Sequence, residues 1–445
     1  MSSKRLATNN NQLPEGYKKT EVGVIPEDWE YQAIGEAFEI RNNLRLPISK
    51  EKRQYIQGKY PYYGPTNVQD YIDEYRVEGE HALIGEDGDH FLKWRDLSMT
   101  LLVDGKFNVN NHAHIIKGVK NLTAWFYYFF AHRDLTQYLK RQGAGRYKLD
   151  KNTLINIPCA IPPLREQKAI AQTLSDVDAL IASLDKHIAK KRNIKTGTMQ
   201  QLLTGKTRLP GLGEGKGYKK TDIGVIPEDW KVTVLGKIAS FQGGYAFSSR
   251  KFCESGRYQI VKMSNLYAGE LNLARSSSFI DEIDEIEKAY LLKNEDILIS
   301  LTGTVGKNDF GYTCRITNQN NLLLNQRVAR IIVNQNSVST LIELETKLSR
   351  FRKQFFDKAK GGTGNQTNVS TSDIAQILIP LPPTIEEQRA IAQVLSDIDT
   401  EITALEKRRA KTQAIKQGMM QELLTGRTRL KIEHPDDPIT KNSNG

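Results

Sequence analysis

Five loops of this 445-residue chain mix glycine with basic and amide residues, and the first three named add aromatics. They are GKYPYYGPTN (58–67), QGAGRYKLDK (142–151), QGGYAFSSRKF (242–252), TGTVGKND (302–309) and KGGTGNQTNVS (360–370). That mixture suits contact with a polyanion bearing flat heterocycles. Arg and Lys pair with phosphate or a guanine edge, Asn and Gln with adenine, and glycine lets the backbone come close. The candidate contacts are Lys59, Tyr62, Tyr63, Asn67, Arg146, Tyr147 and Lys148 in the first half of the chain. In the second half they are Tyr245, Ser248, Arg250, Lys251, Lys307, Asn365 and Gln366. The plainer reading is that Gly-rich loops beside strands are solvated turns. Against it, GAGRYK and GGTGNQ stand at the same place, each ahead of a long repeated phrase.

Bond-making chemistry is not expected. LTGTVGK (301–307) ends in Gly-Lys, but Leu301 stands where a P-loop needs Gly and Asn308 where it needs Ser or Thr. It reads instead as a strand followed by a Gly-rich loop. No [Asn/Asp]-Pro-Pro-[Tyr/Phe] motif of an amino-directed methyltransferase occurs; the Pro-Pro pairs lie in IPPL and LPPT. His112 and His114, with His81, His90, Asp87 and Asp89, raise a metal-dependent nuclease as an alternative. Zinc-type spacings are absent, and His-Ala-His on a strand turns both rings to one face, where they can pack or touch phosphate. Cys159, Cys253 and Cys314 are scattered, with no CxxC, so no disulfide framework is indicated. No metal ligands and no catalytic residues are assigned.

The formal net charge of +11 favours a polyanionic partner. No apolar run approaches the ~18 residues of a membrane span. MSSKRLATNNNQLPEG at the start is polar and does not read as a secretory signal. A cytoplasmic, reduced protein is the expectation.

The elements that must position the loops come in duplicate. GYKKTEVGVIPEDW (16–29) returns as GYKKTDIGVIPEDW (217–230), each reading as an extended segment, a turn and a buried Trp. PPLREQKAIAQTLSDVDALI… (162–209) returns as PPTIEEQRAIAQVLSDIDTEI… (382–430). Pro-Pro begins each phrase, Glu166 and Glu387 suit a helix first turn, and Gly205 and Gly426 suit its left-handed close. Leu174, Val177, Ile181, Leu184 and Ile188, and Leu395, Ile398, Ile402 and Leu405, form a coiled-coil seam. Each helix should run for about 40 residues, or ~60 Å. A duplicated amphipathic helix calls for a partner of its own kind, and the chain order makes the pair antiparallel. The second LTGRTRL should then arrive beside the first GYKKT box. Between the repeats, residues 30–156 and 231–376 differ from each other. HALIG, SMTLLVDG, HAHIIKG, YQIVKMSNL, EDILISLTG and QRVARIIV read as strands, and 123–141 and 339–360 as helical.

The fold expected is α/β (α+β), with two globular recognition domains, a pair of long antiparallel coiled-coil helices and an internal pseudo-two-fold repeat. The segments are a disordered tail (1–15), domain one with its box (16–160), a spacer helix (161–209), domain two with its box (210–380), a second spacer helix (381–430) and a polar tail (431–445).

These features resemble the specificity subunit of a Type I restriction-modification system over nearly the whole chain. The resemblance rests on PPLREQKAIA and PPTIEEQRAIA, on LLTGKTRL and LLTGRTRL, and on the two GVIPEDW boxes. YYGPTNVQDYIDEY, LIGEDGD, NVNNHAH, EDILISLTGTVG and LLLNQRVARI support it within the variable blocks. It implies two target-recognition domains that read the halves of a bipartite, asymmetric site in double-stranded DNA. The helices would set the gap and dock two modification and two restriction subunits. It implies no cofactor on this chain, with S-adenosylmethionine, ATP and Mg on the partners, and a place in the prokaryotic cytoplasm. A coiled-coil adaptor without DNA contact is the competing reading.

Overall fold

The two copies of the box fold alike. Tyr17–Thr20 pairs antiparallel with Gly23–Pro26, and Tyr218–Thr221 with Gly224–Pro227. The chain then turns, and Trp29 and Trp230 are buried. The computed structural model describes residues 13–142, 146–213, 215–267, 269–361 and 365–431. Most of the expected N-terminal tail, nearly all of the C-terminal one, and 143–145 and 362–364 of the two Gly-rich loops lie outside the described residues. By contact the chain forms two units, residues 1–185 with 407–445, and residues 186–406. The spacer segments set apart in the sequence, 161–209 and 381–430, are thus each divided between units.

Each unit carries the same sheet. In the first its order is Glu39–Ile40, Ala113–Lys117, His81–Gly85, Thr100–Val103; in the second it is Ala239–Gly243, Val328–Val333, Ile297–Ser300, Thr313–Arg315. A parallel pair stands beside each, Gln57–Tyr63 with Lys106–Val109 and Tyr258–Val261 with Leu322–Leu324. The apolar runs predicted as strands supply the buried faces, among them Leu83, Ile84, Ile115 and Ile116, and Ile297, Ile299, Ala329 and Ile331. Each domain closes through a strand that returns to the one after the box, Pro158–Ile161 on Glu30–Ala33 and Leu378–Leu381 on Lys231–Val234.

Two helices are shorter than the sequence predicts. The one expected over 123–141 spans Thr123–Ala131. Asp134 then accepts from both the backbone N–H and the hydroxyl of Thr136, a local bond that competes with helix continuation. The one expected over 339–360 is split into Ser339–Thr346 and Ser349–Asp357. The break brings Arg350 back onto the buried Glu345 at 2.6 Å.

The long helices span Leu164–Leu202 and Ile385–Leu423. In the first unit Asp178 pairs with Lys416 and Asp185 with Arg409; in the second Lys191 pairs with Glu401 and Lys195 with Asp399. The partner number falls as the residue number rises, so the helices are antiparallel within each unit. Leu174, Leu184, Ile188, Leu395 and Ile402 of the seam are buried, and Val177, Ile181, Ile398 and Leu405 are half-buried.

A clamp built from the repeats fastens helix to box. In the first unit Arg429 donates to both oxygens of Glu166 (2.5 and 2.7 Å) and both of Asp28 (2.9 and 2.8 Å). Trp29 Nε1 also donates to Glu166 at 2.9 Å. In the second unit Arg208 does the same to Glu387 (2.7 and 2.9 Å) and Asp229 (2.9 and 3.2 Å), with Trp230 Nε1 at 3.4 Å from Glu387. Such forked, charge-assisted bonds are the strong class. The first-turn glutamates therefore do more than complement a helix dipole. They are nearly fully buried, and one arginine meets each of them. The second LTGRTRL does lie at the first box, where Tyr17 also donates to the Gly426 carbonyl at 2.9 Å. Gly205 and Gly426 both hold φ +68°, and a Cβ on either would meet the ring of Pro227 or Pro26 within 2.4 Å. Both backbone angle and contact demand glycine there.

Candidate nucleic-acid interface

In the first unit, strand pairing gathers several of the sequence candidates at one edge of the sheet. The hairpin of Lys140–Gln142 with Arg146–Lys148 docks on the LIGEDGD turn, where Gly88 N–H donates to the Tyr147 carbonyl and Leu149 N–H to the Glu86 carbonyl. Lys148 lies 3.3 Å from Glu86, the Arg141 guanidinium donates to the Tyr147 hydroxyl, and Arg146 is exposed. Asn67 is exposed at the turn after Gln57–Tyr63, its carbonyl accepting from Gly64 N–H. Asn110 ties this turn to the hairpin side. Its N–H donates to the Tyr63 carbonyl, its Nδ2 to Gln69, and its Oδ1 accepts from His112 N–H.

Three candidates stand elsewhere. Tyr62 is 1% exposed; its hydroxyl donates to the Leu46 carbonyl and accepts from Ile48 N–H. It is a core residue with a satisfied polar end and is withdrawn as a contact. Tyr63 is half-buried edge-on against Phe107, and burial raises its hydroxyl pKa. Lys59 is exposed beside the ring of Tyr60, apart from the hairpin.

The two histidines of NVNNHAH part company. His114 is buried; its Nε2 donates to the Leu149 carbonyl, and Asn42 and Arg45 reach its Nδ1. Burial pulls its pKa down to about 4. His112 stays on the surface and bonds Asp87 at 2.8 Å. Among the described residues no group of three or more His, Cys, Asp or Glu is placed to hold a metal.

In the second unit, Thr302–Thr304 pairs with Gln366–Asn368, which sets Gln366 against Thr304, and Val305 N–H donates to the Asn365 carbonyl. Lys307 follows in the next turn, its N–H on the Thr304 carbonyl. Lys307, Asn365 and Gln366 are therefore one exposed group. The strand followed by a turn at 302–307 is as the sequence reads. Tyr245 packs on Phe247 and Tyr290 and pairs with Asn325. Ser248 begins the turn Ser249–Lys251, where Arg250 is exposed. Lys251 is engaged by Glu287 at 2.8 Å, a bond that raises its pKa. A cleft of about 470 Å³ borders the exposed group, lined by Thr302, Gln326, Arg327, Lys360, Gln366 and Asn368 among others. Arg327 was not among the sequence candidates, although LLLNQRVARI was singled out.

The sequence profile of the Type I restriction modification DNA specificity domain matches residues 26–191 and again 227–417. The chain belongs to that family. It is a DNA specificity subunit with two recognition domains, in a family that recognises DNA rather than catalysing. It is 30% identical over 426 residues to the type I restriction enzyme MjaVIII specificity subunit of Methanocaldococcus jannaschii, covering 94% of this chain and 97% of the relative. A putative type I specificity subunit of Haemophilus influenzae is 27% identical, over 83% and 88% of the two chains. The crystal structure of the S subunit from M. genitalium has the same fold, with a TM-score of 0.57 at 14% identity over 89% of this specificity subunit and 96% of that chain. Among the described residues no helix is long and apolar enough to cross a membrane.

Proposed function

We propose that this subunit selects the site of a Type I restriction-modification complex by reading a split, asymmetric DNA sequence, one part with each domain. The observation that carries this reading is the contrast between duplicated frame and unlike loops. Both units have one clamp and one sheet order, while the candidate contacts brought together are exposed Asn67 and Arg146 with half-buried Tyr147 and Lys148 in one, and exposed Lys307, Asn365 and Gln366 in the other. A net charge of +11 supports a polyanionic ligand. The long helices act as the spacer. Two modification subunits bring S-adenosylmethionine and methyl transfer to adenine, and two restriction subunits bring ATP and Mg. This chain makes no bond itself, carries no cofactor, and works in the prokaryotic cytoplasm.

The test is a map of methylated adenines for the complex assembled with its modification subunit. Exchanging residues 30–156 for another block should change one half-site and leave the other. Inserting four residues in each long helix adds about 6 Å at 1.5 Å per residue, and should widen the unread gap by one or two base pairs at ~3.4 Å each. If the exchange alters both half-sites, the modular reading fails; an unaltered gap removes the spacer role.

A further inference from the structure

The two domains present one loop in the same place with different side chains. In the first, Ala113 pairs with Gly85, and Glu86 N–H donates to the His112 carbonyl at 2.8 Å. In the second, Val328 pairs with Ser300, and Leu301 N–H donates to the Arg327 carbonyl at 2.9 Å. Upstream, Asn110 N–H donates to the Tyr63 carbonyl and Asn325 N–H to the Val261 carbonyl, both across the parallel pair. Strand register thus makes Asn110-Asn111-His112 the counterpart of Asn325-Gln326-Arg327. Each tip is flanked by the hairpin that precedes the long helix. Asp87 bridges to Lys148 in one domain, and Thr302 to Asn368 in the other.

Both tip residues are prepared for a ligand, by different means. Arg327 holds φ +74°, and Val328 N–H closes the turn on the Asn325 carbonyl at 3.1 Å. A turn with positive φ at that position ordinarily takes glycine or asparagine. Arg327 is exposed, and its guanidinium has no hydrogen bond, ion pair or ring contact among the described residues. Retaining a strained, unpaired arginine makes sense where the side chain has work outside the fold. His112 is held instead of strained. A carboxylate only accepts, so the 2.8 Å contact with Asp87 makes Nδ1 the donor, and in the neutral ring Nε2 is then an acceptor.

We infer that His112 and Arg327 are the equivalent base-reading positions of the two recognition domains, a reading that rests on the DNA-specificity role proposed above. Arg327 offers a two-pronged donor, the match for the O6 and N7 of guanine in the major groove. His112 offers an acceptor, the match for the exocyclic amine of cytosine or adenine. The two halves of the target then differ in hydrogen-bond polarity at these positions.

The experiment uses the full chain assembled with its modification subunit, and scores methylation across a library of duplexes varied in both half-sites. Arg327→Gly suits the backbone angle, so the fold persists and only the side chain is lost; a melting curve checks this. The expected result is relaxed preference at one base pair of one half-site, on the order of tenfold to a hundredfold, with the other half-site intact. Arg327→Lys should fail to restore it, because an ammonium cannot fork. His112→Ala should relax one base pair of the opposite half-site. An unchanged motif in Arg327→Gly would overturn the inference. So would a uniform loss over all sequences that Arg327→Lys repairs, which marks a phosphate contact. Variants are scored against the unmodified complex, so a complex that methylates no bipartite site at all counts against the functional reading and not against these residues.

Discussion

The clamp at Arg429 and the clamp at Arg208 use the same residue types and bond lengths within about half an ångström, whereas the loop tips share a strand register and two amides but end in unlike side chains, His112 and Arg327. The difference separates two kinds of constraint. The frame must meet itself, since each clamp takes an arginine from one repeated phrase, a glutamate from the other and an aspartate from a box. No member can change alone. At the loop tips the Arg327 side chain meets nothing among the described residues and His112 meets only Asp87 of its own domain, so these two side chains are free to differ.

The largest effect should come from breaking a clamp. Arg208 is 9% exposed, and removing it leaves Glu387 buried and uncompensated. Arg208→Ala should destabilise the second unit by about 3–5 kcal/mol. Arg429 is 40% exposed, so water can reach Glu166 and Asp28 more readily once it is gone; Arg429→Ala should cost the first unit about 1–3 kcal/mol. Hydrogen exchange over residues 16–29 and 217–230 reads the two separately, and equal losses would break this contrast between the clamps.

Acid should separate the units by sign. The His114 pKa is lowered from 6.5 to about 4 by burial, so the unfolded chain takes up a proton first as pH falls. The first unit should lose on the order of 3 kcal/mol between pH 6.5 and 4. The second domain has Ala329 at the matching strand position and no histidine between 231 and 381. There burial raises the Glu345 pKa from 4.5 to about 7, with Arg350 opposing, so that part of the second unit gains stability as pH falls from 7 to 4.5. Denaturation at pH 7 and pH 5, with His114→Gln as the flat control, tests both directions; a matching acid loss in the two units would contradict them.

The smallest effect should come from the seam charges. Lys195–Asp399 and Arg409–Asp185 have at least one largely exposed partner each. Asp399→Ala should cost less than about 1 kcal/mol, and less still in high salt. A loss matching that of Arg208→Ala would move the stabilising role from the clamps to the helix surface.

The frame was legible because it is written twice. Helix start, seam and closing glycine each have a local signature, and the repeat confirmed the phase. The joining of Arg208 to Glu387 across 179 residues had no signature, and the first-turn glutamates looked like dipole partners only. Within the domains the strands were legible from their apolar runs, but side-chain direction was not. Tyr62 and Lys59 share one strand, yet Tyr62 is sealed inside while Lys59 is exposed. Lys251 read as a free cation because Glu287 lies 36 residues further on. The match of NNH with NQR needed strand register to be seen, and the φ of Arg327 has no trace in composition.

The first unit is assembled from both ends of the described chain, while the second is one unbroken stretch from 186 to 406. On a ribosome, the second can be complete before the first has its arginine. Glu166 and Asp28 emerge early and must wait for Arg429, roughly 13–53 s for Glu166 and roughly 20–80 s for Asp28 at ~5–20 residues per second. During that wait Trp29 lacks the Arg429 guanidinium that lies 6.0 Å from its ring centre, and the first half of the Leu164–Leu202 helix lacks its companion. The first-made part of the polypeptide is thus the last to mature, which marks it as the segment most exposed to proteases and chaperones in the cell.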